Sequence, residues 1–142
     1  MALPVLSSSR FETVIPSTGQ RVTYRPYLVK EEKILMMAME TSDQKQIVRA
    51  TKDIIKSCVF DDINVNKLAV FDVEHMFLEL RSKSVGESIE LKVKCESCGV
   101  MNEHSVDFSD INVIVPEGSN IIMITEEIGL TMRYPSFDDV SS

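Results

Sequence analysis

The sequence predicts an α+β fold in which an N-terminal β-hairpin and a three-helix segment precede a small antiparallel β-sheet. Two β-rich runs around a Pro/Gly turn lie near the start of the chain, and apolar residues at helical spacing follow in its middle. The last third contains strand-like runs separated by turn residues. The 142 residues suffice for one domain with its own core. We expect a flexible arm at 1–10, a hairpin with helices at 11–86, and a β segment at 87–142 that forms one compact unit with 11–86.

The first hairpin is predicted from "FETVI" and "RVTYR", which flank the turn sequence "PSTGQ". Pro26 ends the second of these strands. Glu31 and Glu32 follow at positions where carboxylates favour a helix N-terminus, so a first helix is expected at about 30–40.

Two more helices are predicted in the middle of the chain. Asp43 and Gln46 form a capping-box pattern before "QKQIVRATKDIIKSC". After the connector "VFDDINVNKLAV", Asp72 is expected to cap a third helix that Gly86 ends. The residues expected on the buried faces are Ile47, Ala50, Thr51, Ile54, Ile55 and Cys58 in the second helix and Val73, Met76, Phe77 and Leu80 in the third.

The last third of the chain has the pattern of β-strands. "SIELKVKC" alternates between apolar and polar residues, as a half-buried strand does. "VMNEHSVDF", "INVIV", "NIIMIT" and "IGLTMRY" follow, separated by the turn-forming "SD", "PEGS" and "EE". Residues 87–135 are therefore expected to form one antiparallel sheet.

The sequence "KCESCG" carries Cys95 and Cys98 at the spacing of half a zinc site. Structural zinc takes four ligands, and a symmetric hairpin places His104 opposite Leu91, more than about 10 Å from Cys95. We expect a zinc-knuckle-like turn without a cofactor, and zinc at Cys95 and Cys98 with ligands from another chain is the alternative. A redox dithiol is disfavoured because strands flank both sides of the motif.

Composition and charge exclude several function classes. A net charge of −7 repels phosphate backbones and anionic lipids, so neither nucleic acid nor a membrane is expected as a partner. Three cysteines, one of them distant from the other two, fit a reducing compartment. His75 and His104 belong to no triad motif and the glycines form no phosphate loop, so we expect no catalytic or cofactor-binding residue and no enzyme.

Protein contacts are the remaining class. "ILMMAME" holds three methionines whose flexible thioethers suit an irregular core or an adaptable binding face, and we favour the core. The segment 1–27 and the sheet edge are expected to bind partners. The candidate interaction residues are Met36, Met37, Met39, Phe11, Tyr24 and Tyr27.

Three segments, "YRPYLVKEEKILMMAME", "FDVEHMFLELRSKSVGESIELKVKCESCG" and "MRYPSFDD", occur in order along nearly the whole chain. Together they resemble the T-even-type bacteriophage baseplate hub protein family, whose hub subunit is also described as a baseplate assembly chaperone. The resemblance implies a non-enzymatic structural protein of a contractile tail baseplate, located in the virion after assembly in the host cytoplasm. Other baseplate, hub and tail proteins are the implied partners, within a multi-subunit assembly.

Several alternatives stay open at this point. The first alternative hypothesis is a transient assembly chaperone that is absent from the mature virion. The second is a zinc-ribbon-like adaptor, and the third and least favoured is a dithiol oxidoreductase. Family members continue past the "YPS" segment into a further helical region, so we expect either a shortened member or a remaining function that lies elsewhere.

Overall fold

The computed structural model describes residues 9–140 and has an α+β architecture, as predicted. Most of the arm expected at 1–10 lies outside the described residues. The elements are β1 (Phe11–Val14), β2 (Arg21–Tyr24), α1 (Val29–Glu40), α2 (Gln44–Cys58), α3 (Val70–Ser84), β3 (Ser88–Lys94), β4 (Met101–Asp107), β5 (Ile121–Met123), β6 (Gly129–Thr131) and the short α4 (Phe137–Val140). Short 3₁₀ helices span Val65–Lys67 and Phe108–Asp110. The three predicted helices are present, and α4 is an addition that the sequence pattern did not indicate.

Strands β1 and β2 form the predicted antiparallel hairpin, with Phe11 opposite Tyr24. Ile15 N–H donates to the Gln20 carbonyl oxygen at 2.9 Å and closes the turn. Gly19 has a φ of +69°, a left-handed conformation that glycine adopts without a Cβ penalty. Local turn chemistry therefore fixes this hairpin.

The core lies between the β1–β2 hairpin and helices α2 and α3. The predicted stripe of α2 faces it, since Ala50, Ile54, Ile55 and Cys58 are buried and Ile47 and Thr51 are half-buried. Each fully buried aliphatic side chain contributes about 1.5–3 kcal/mol. The largest set of packed core residues is Ile15, Val22, Tyr24, Tyr27, Ile54, Ile55, Cys58, Val65, Leu68, Val73, Met76 and Leu80.

Asp72 is not the N-cap of α3, so that prediction is wrong. The cap position belongs to Ala69, and Asp72 is the third residue of the helix. Its carboxylate accepts a hydrogen bond from the Ala69 N–H at 3.1 Å, which is the role of the acidic third residue in a capping box. The same carboxylate also accepts two hydrogen bonds from Ser17 in the hairpin turn, so it joins two distant parts of the chain.

The predicted single sheet at 87–135 is wrong, because the structure contains two separate two-stranded ribbons there. In the first ribbon β3 pairs with β4, and Leu91 lies opposite His104 as predicted. In the second ribbon β5 pairs with β6. "INVIV" at 111–115 follows the 3₁₀ helix Phe108–Asp110 and forms no strand, since it pairs with none of the strands of the described chain.

Candidate interaction surface

Helix α1 exposes the three methionines that the sequence analysis favoured as core residues. Met36, Met37 and Met39 are 60%, 57% and 59% exposed, so the core interpretation is wrong. One side of helix α1 packs against the rest of the protein, and it carries Glu31, Leu35 and Ala38. The methionines lie outside that side of the helix. We call the exposed apolar residues Ile34, Met36, Met37 and Met39 the methionine surface.

A buried ion pair holds the beginning of α1 in place. Arg25 Nη2 donates to Glu31 Oε1 at 2.9 Å, and Glu31 Oε2 accepts the Leu28 N–H at 2.8 Å. Burial alone would raise the pKa of Glu31, but the hydrogen bonds and positive charge of Arg25 and the Leu28 N–H together lower it below its ordinary value. Glu31 therefore stays ionised and orients the helix that carries the methionine surface.

The aromatic candidates Phe11, Tyr24 and Tyr27 form part of the interior. Tyr24 is 2% exposed, and its hydroxyl donates to Glu79 Oε2 at 3.1 Å. Burial and the Glu79 charge raise the pKa of Tyr24 far above its ordinary value. Tyr27 is buried and Phe11 is half-buried, with its ring centroid 5.9 Å from that of Tyr24. These rings attach the hairpin to α3, and the two tyrosines offer almost no surface to a partner.

Another exposed apolar surface lies on the β5–β6 ribbon and its flanks. Ile122 lies opposite Leu130 in this ribbon, and Met123 lies opposite Gly129. A Cβ at Gly129 would lie 2.8 Å from Met123 Sδ, so glycine gives the thioether room to cross the strand. We call the following residues, each between 50% and 61% exposed, the apolar ribbon: Ile121, Ile122, Met123, Ile124, Ile128, Leu130 and Met132.

The apolar ribbon departs from what a soluble monomer normally presents to water. Contiguous exposed apolar patches larger than a few hundred Å² usually mark interaction sites. An isolated two-stranded ribbon is also marginally stable in water, and these strands have only three residues each. Both observations make the apolar ribbon a candidate interaction surface.

The segment after β6 ties the apolar ribbon to the helical body. Tyr134 packs edge-on against Phe71, with ring centroids 4.9 Å apart. Val70 N–H donates to the Pro135 carbonyl oxygen at 3.3 Å, and Phe137 N–H donates to the Leu68 carbonyl oxygen at 3.4 Å. The ribbon thus joins the start of α3 through short, direct contacts.

A basic groove, which the sequence analysis missed, runs along α2. Lys45, Arg49, Lys52 and Lys56 line a cavity of about 770 Å³, together with the acidic residues Asp53, Asp62 and Asp138. Lys52 forms an ion pair with Asp138 of α4 and lies 5.6 Å from the Phe137 ring centre. The signal was present in the sequence, since spacings of four, three and four residues place these cations on one side of a helix.

Cys95 and Cys98 lie in the turn between β3 and β4. Gly99 N–H donates to the Cys95 carbonyl oxygen at 2.9 Å, and Cys95 N–H donates to the Val100 carbonyl oxygen at 2.9 Å. The backbone N–H groups of Cys98 and Ser97, followed by the Cys98 thiol, lower the pKa of the Cys95 thiol. Cys58 differs from Cys95 in its environment, because burial raises the pKa of the Cys58 thiol to about 11.

The turn does not contain a complete metal site within one chain. Among residues 9–140 no cluster of three or more His, Cys, Asp or Glu side chains is arranged to hold a metal ion. His104 lies opposite Leu91, as the register predicted, and not beside the cysteines. Whether the turn works as a zinc knuckle stays a prediction.

Comparison with known families decides the identity at the family level. The family model described as "T4 bacteriophage base plate protein" matches residues 8–142. The chain belongs to this baseplate family. Neither the curated proteins nor the solved structures yield a significant match. The sequence resemblance to phage baseplate proteins is thereby confirmed at that level.

Membership in the baseplate family gives the exposed surfaces a setting. A baseplate protein belongs to the phage tail, and other baseplate proteins are its natural neighbours. In the part of the chain that the structure describes, no helix has the length and hydropathy needed to cross a bilayer. The apolar ribbon and the methionine surface are therefore the surfaces to consider for contacts with other baseplate proteins.

Proposed function

We propose that this baseplate-family chain is a non-enzymatic structural or assembly protein of the hub region, which acts through protein–protein contacts. The apolar ribbon is the observation that carries the proposal, because its seven residues are each at least half exposed. Removing apolar surface from water yields about 25 cal/mol per Å². A baseplate neighbour that covers the ribbon thus gains binding energy and stabilises a ribbon that is marginal alone.

Strand addition is the binding mode that the ribbon fits best. The β5–β6 ribbon has two strands, so each strand has one edge without a strand partner in the described chain. An extended segment of a neighbour can pair with such an edge, with main-chain hydrogen bonds for affinity and pockets for alternate side chains. Hydrophobic contacts at Ile122 and Leu130 then fix the register.

The methionine surface provides a second contact on another element. Unbranched thioethers adapt to irregular partner surfaces without a fixed rotamer. The Arg25–Glu31 ion pair holds the helix, so this face is presented in one orientation. Two separated apolar surfaces suit a subunit with two neighbours more than an enzyme with one pocket.

A non-enzymatic role also agrees with the position of the histidines. His75 Nε2 lies 3.3 Å from Thr13 Oγ1, a contact that joins α3 to β1. His104 is exposed on β4 opposite Leu91. The contact of His75 with Thr13 gives that histidine a structural role, which agrees with the proposal that the chain works by binding.

Charged substitutions on the apolar ribbon test the proposal. Ile122→Glu and Leu130→Glu place carboxylates on the ribbon, and Val85→Glu places one at a similarly exposed apolar residue after α3, outside both named surfaces, as the matched control. We expect all three variants to fold, and only the ribbon variants to be lost from baseplates purified from phage supplied with the variant gene. Normal recovery of the ribbon variants by quantitative mass spectrometry would contradict the proposal.

The second candidate is a transient assembly chaperone that uses the same surface. The resemblance to proteins described as hub assembly chaperones favours it, and the apolar ribbon serves either role. Mass spectrometry of assembly intermediates and of mature particles separates the two. A structural subunit is present in both samples, whereas a chaperone is present in the intermediates alone.

A further inference from the structure

The β3–β4 turn carries a second inference, which goes beyond the contact role of the apolar ribbon. We propose that Cys95 and Cys98 form half of a tetrathiolate zinc site, which a second copy of the chain completes. The ligand is a divalent zinc ion and the partner is the same turn of another chain.

The backbone of the turn is arranged for a cysteine pair. The Gly99 N–H bond to the Cys95 carbonyl and the Cys95 N–H bond to Val100 close the turn over four residues. Gly99 has a φ of +73°, which side-chain-bearing residues rarely adopt, so the glycine after the second cysteine is required by the geometry. This conformation brings the two thiols of the Cys-x-x-Cys pair into mutual contact.

The backbone of the turn also fixes the position of the first ligand atom. The N–H groups of Cys98 and Ser97 donate hydrogen bonds to the Cys95 sulfur. The sulfur is therefore held in place on the same side of the turn as Cys98.

One chain supplies two of the four ligands that a structural zinc site needs. The third cysteine, Cys58, is fully buried in the core and unavailable to the turn. Within residues 9–140 no third ligand lies near the pair. The site is therefore incomplete unless another chain contributes.

A second copy fits the missing half because the turn is at an open tip. Residues 96–104 are all exposed, so nothing in the described chain blocks an identical tip from approaching. A two-fold axis through the metal places two thiolates from each copy around one ion, as isologous symmetry requires. The contact would also cover Val93, Val100 and Met101, which are each more than half exposed beside the cysteines.

Charge supports the same arrangement. A zinc ion with four thiolates carries a net charge of −2, which needs nearby cations. Lys94 extends along the turn, with its Cε 3.8 Å from the position of a Cβ on Gly99. Lys92 on the same strand already pairs with Glu103 at 3.2 Å, so Lys94 is the lysine that serves the site. Two copies bring two such lysines, which offset the negative charge of the metal centre.

The test uses the full chain, reduced and purified without chelator, and titrated with zinc while its mass is followed by sedimentation. We expect one zinc ion per two chains, a monomer-to-dimer change on zinc addition, and reversal by a strong chelator. Cobalt substitution is expected to give the thiolate-to-metal charge-transfer absorbance of a tetrathiolate site. Absence of bound zinc, or one zinc ion per monomer without dimers, would overturn the proposal.

Variants make the test specific. Cys95→Ser and Cys98→Ser are each expected to abolish zinc-dependent dimers, and Glu96→Gln, between the two cysteines, is expected to retain them. Because the turn is exposed, circular dichroism is expected to show the wild-type fold in every variant. The zinc proposal is tested by metal binding and dimer formation in solution, whereas the contact role of the apolar ribbon is tested by recovery of the chain in baseplates. Failure of one proposal is therefore distinguishable from failure of the other.

Discussion

Asp72 joins the β1–β2 turn to the beginning of α3, and its removal gives the sharpest prediction about the fold. The residue is 0% exposed. Its Oδ1 accepts the Ser17 N–H at 2.9 Å, and its Oδ2 accepts the Ser17 hydroxyl at 2.5 Å and the Ala69 N–H at 3.1 Å. Asp72→Asn keeps the shape of this side chain while one oxygen becomes an NH₂ group.

The magnitude follows from the donors that lose an acceptor. An amide nitrogen cannot accept a hydrogen bond, so in either orientation of the substituted amide one backbone N–H, that of Ser17 or that of Ala69, loses its partner. A hydrogen bond to a charged group contributes about 1.5–3 kcal/mol, and a buried unsatisfied donor costs about 1–3 kcal/mol. These two ranges describe the same lost bond, so we expect Asp72→Asn to lower the free energy of unfolding by about 1.5–3 kcal/mol.

Urea titration of the full chain measures this loss by linear extrapolation. Ser17→Ala is the matched comparison, because it removes the hydroxyl bond alone and should cost about 1 kcal/mol. Since both changes affect one network, the double variant is expected to be non-additive by about 0.5–3 kcal/mol. A loss below about 1 kcal/mol for Asp72→Asn would refute the assigned role of this carboxylate.

Three further predictions follow from charge and burial. The pKa of Glu31 is lower in the folded than in the unfolded chain, so its contribution to stability is present above its unfolded pKa of about 4.3 and is lost as the pH falls through the folded pKa. The difference in free energy of unfolding between wild type and Glu31→Gln, measured with urea, should therefore shrink from pH 7 to pH 3. A constant difference counts against the ion pair. Iodoacetamide at pH 7.5 should label Cys95 well before the buried Cys58, as peptide mass spectrometry would show, and early labelling of Cys58 would contradict its burial. Ile55→Ala should lower the free energy of unfolding by about 2–5 kcal/mol while Ile114→Ala, at an 89% exposed position, changes it by less than about 0.5 kcal/mol, and similar thermal unfolding shifts for both would contradict this core.

Local patterns sufficed for much of the fold. The apolar spacing of α2 correctly indicated that Ile54, Ile55 and Cys58 are buried. The register of the β3–β4 hairpin followed from symmetric folding about the cysteine turn, with Leu91 opposite His104. In each case the information lies within about fifteen consecutive residues.

The remaining features depend on partners distant in the sequence. The methionines of α1 do not share one side of the helix, so the sequence did not show which side would be buried. The structure buries the side that carries Glu31 and Ala38. The pattern at 111–115 favours a strand, yet strand formation needs an adjacent strand edge, and this segment pairs with none in the described chain. Asp72 resembled a cap, and its bond to Ser17 across 55 residues became evident only with the hairpin in place.

The candidate surface was harder to locate than the fold. The apolar runs at 121–124 and 128–132 predict strands, and the sequence does not distinguish burial within one chain from burial against a partner. The structure resolves this, because Ile122 and Leu130 remain half exposed in the folded chain. The tyrosines chosen as contacts instead fill the core, since large rings with one hydroxyl suit either place.

The contact role of the apolar ribbon is tested most directly by photo-crosslinking in assembling baseplates. A photoreactive phenylalanine analogue at Leu130, with the same analogue at Val85 as reference, is introduced into the chain during infection, and the crosslinked products are identified by mass spectrometry. We predict crosslinks from position 130 to another baseplate protein and few from position 85. Equal and sparse crosslinking from both positions would contradict the account.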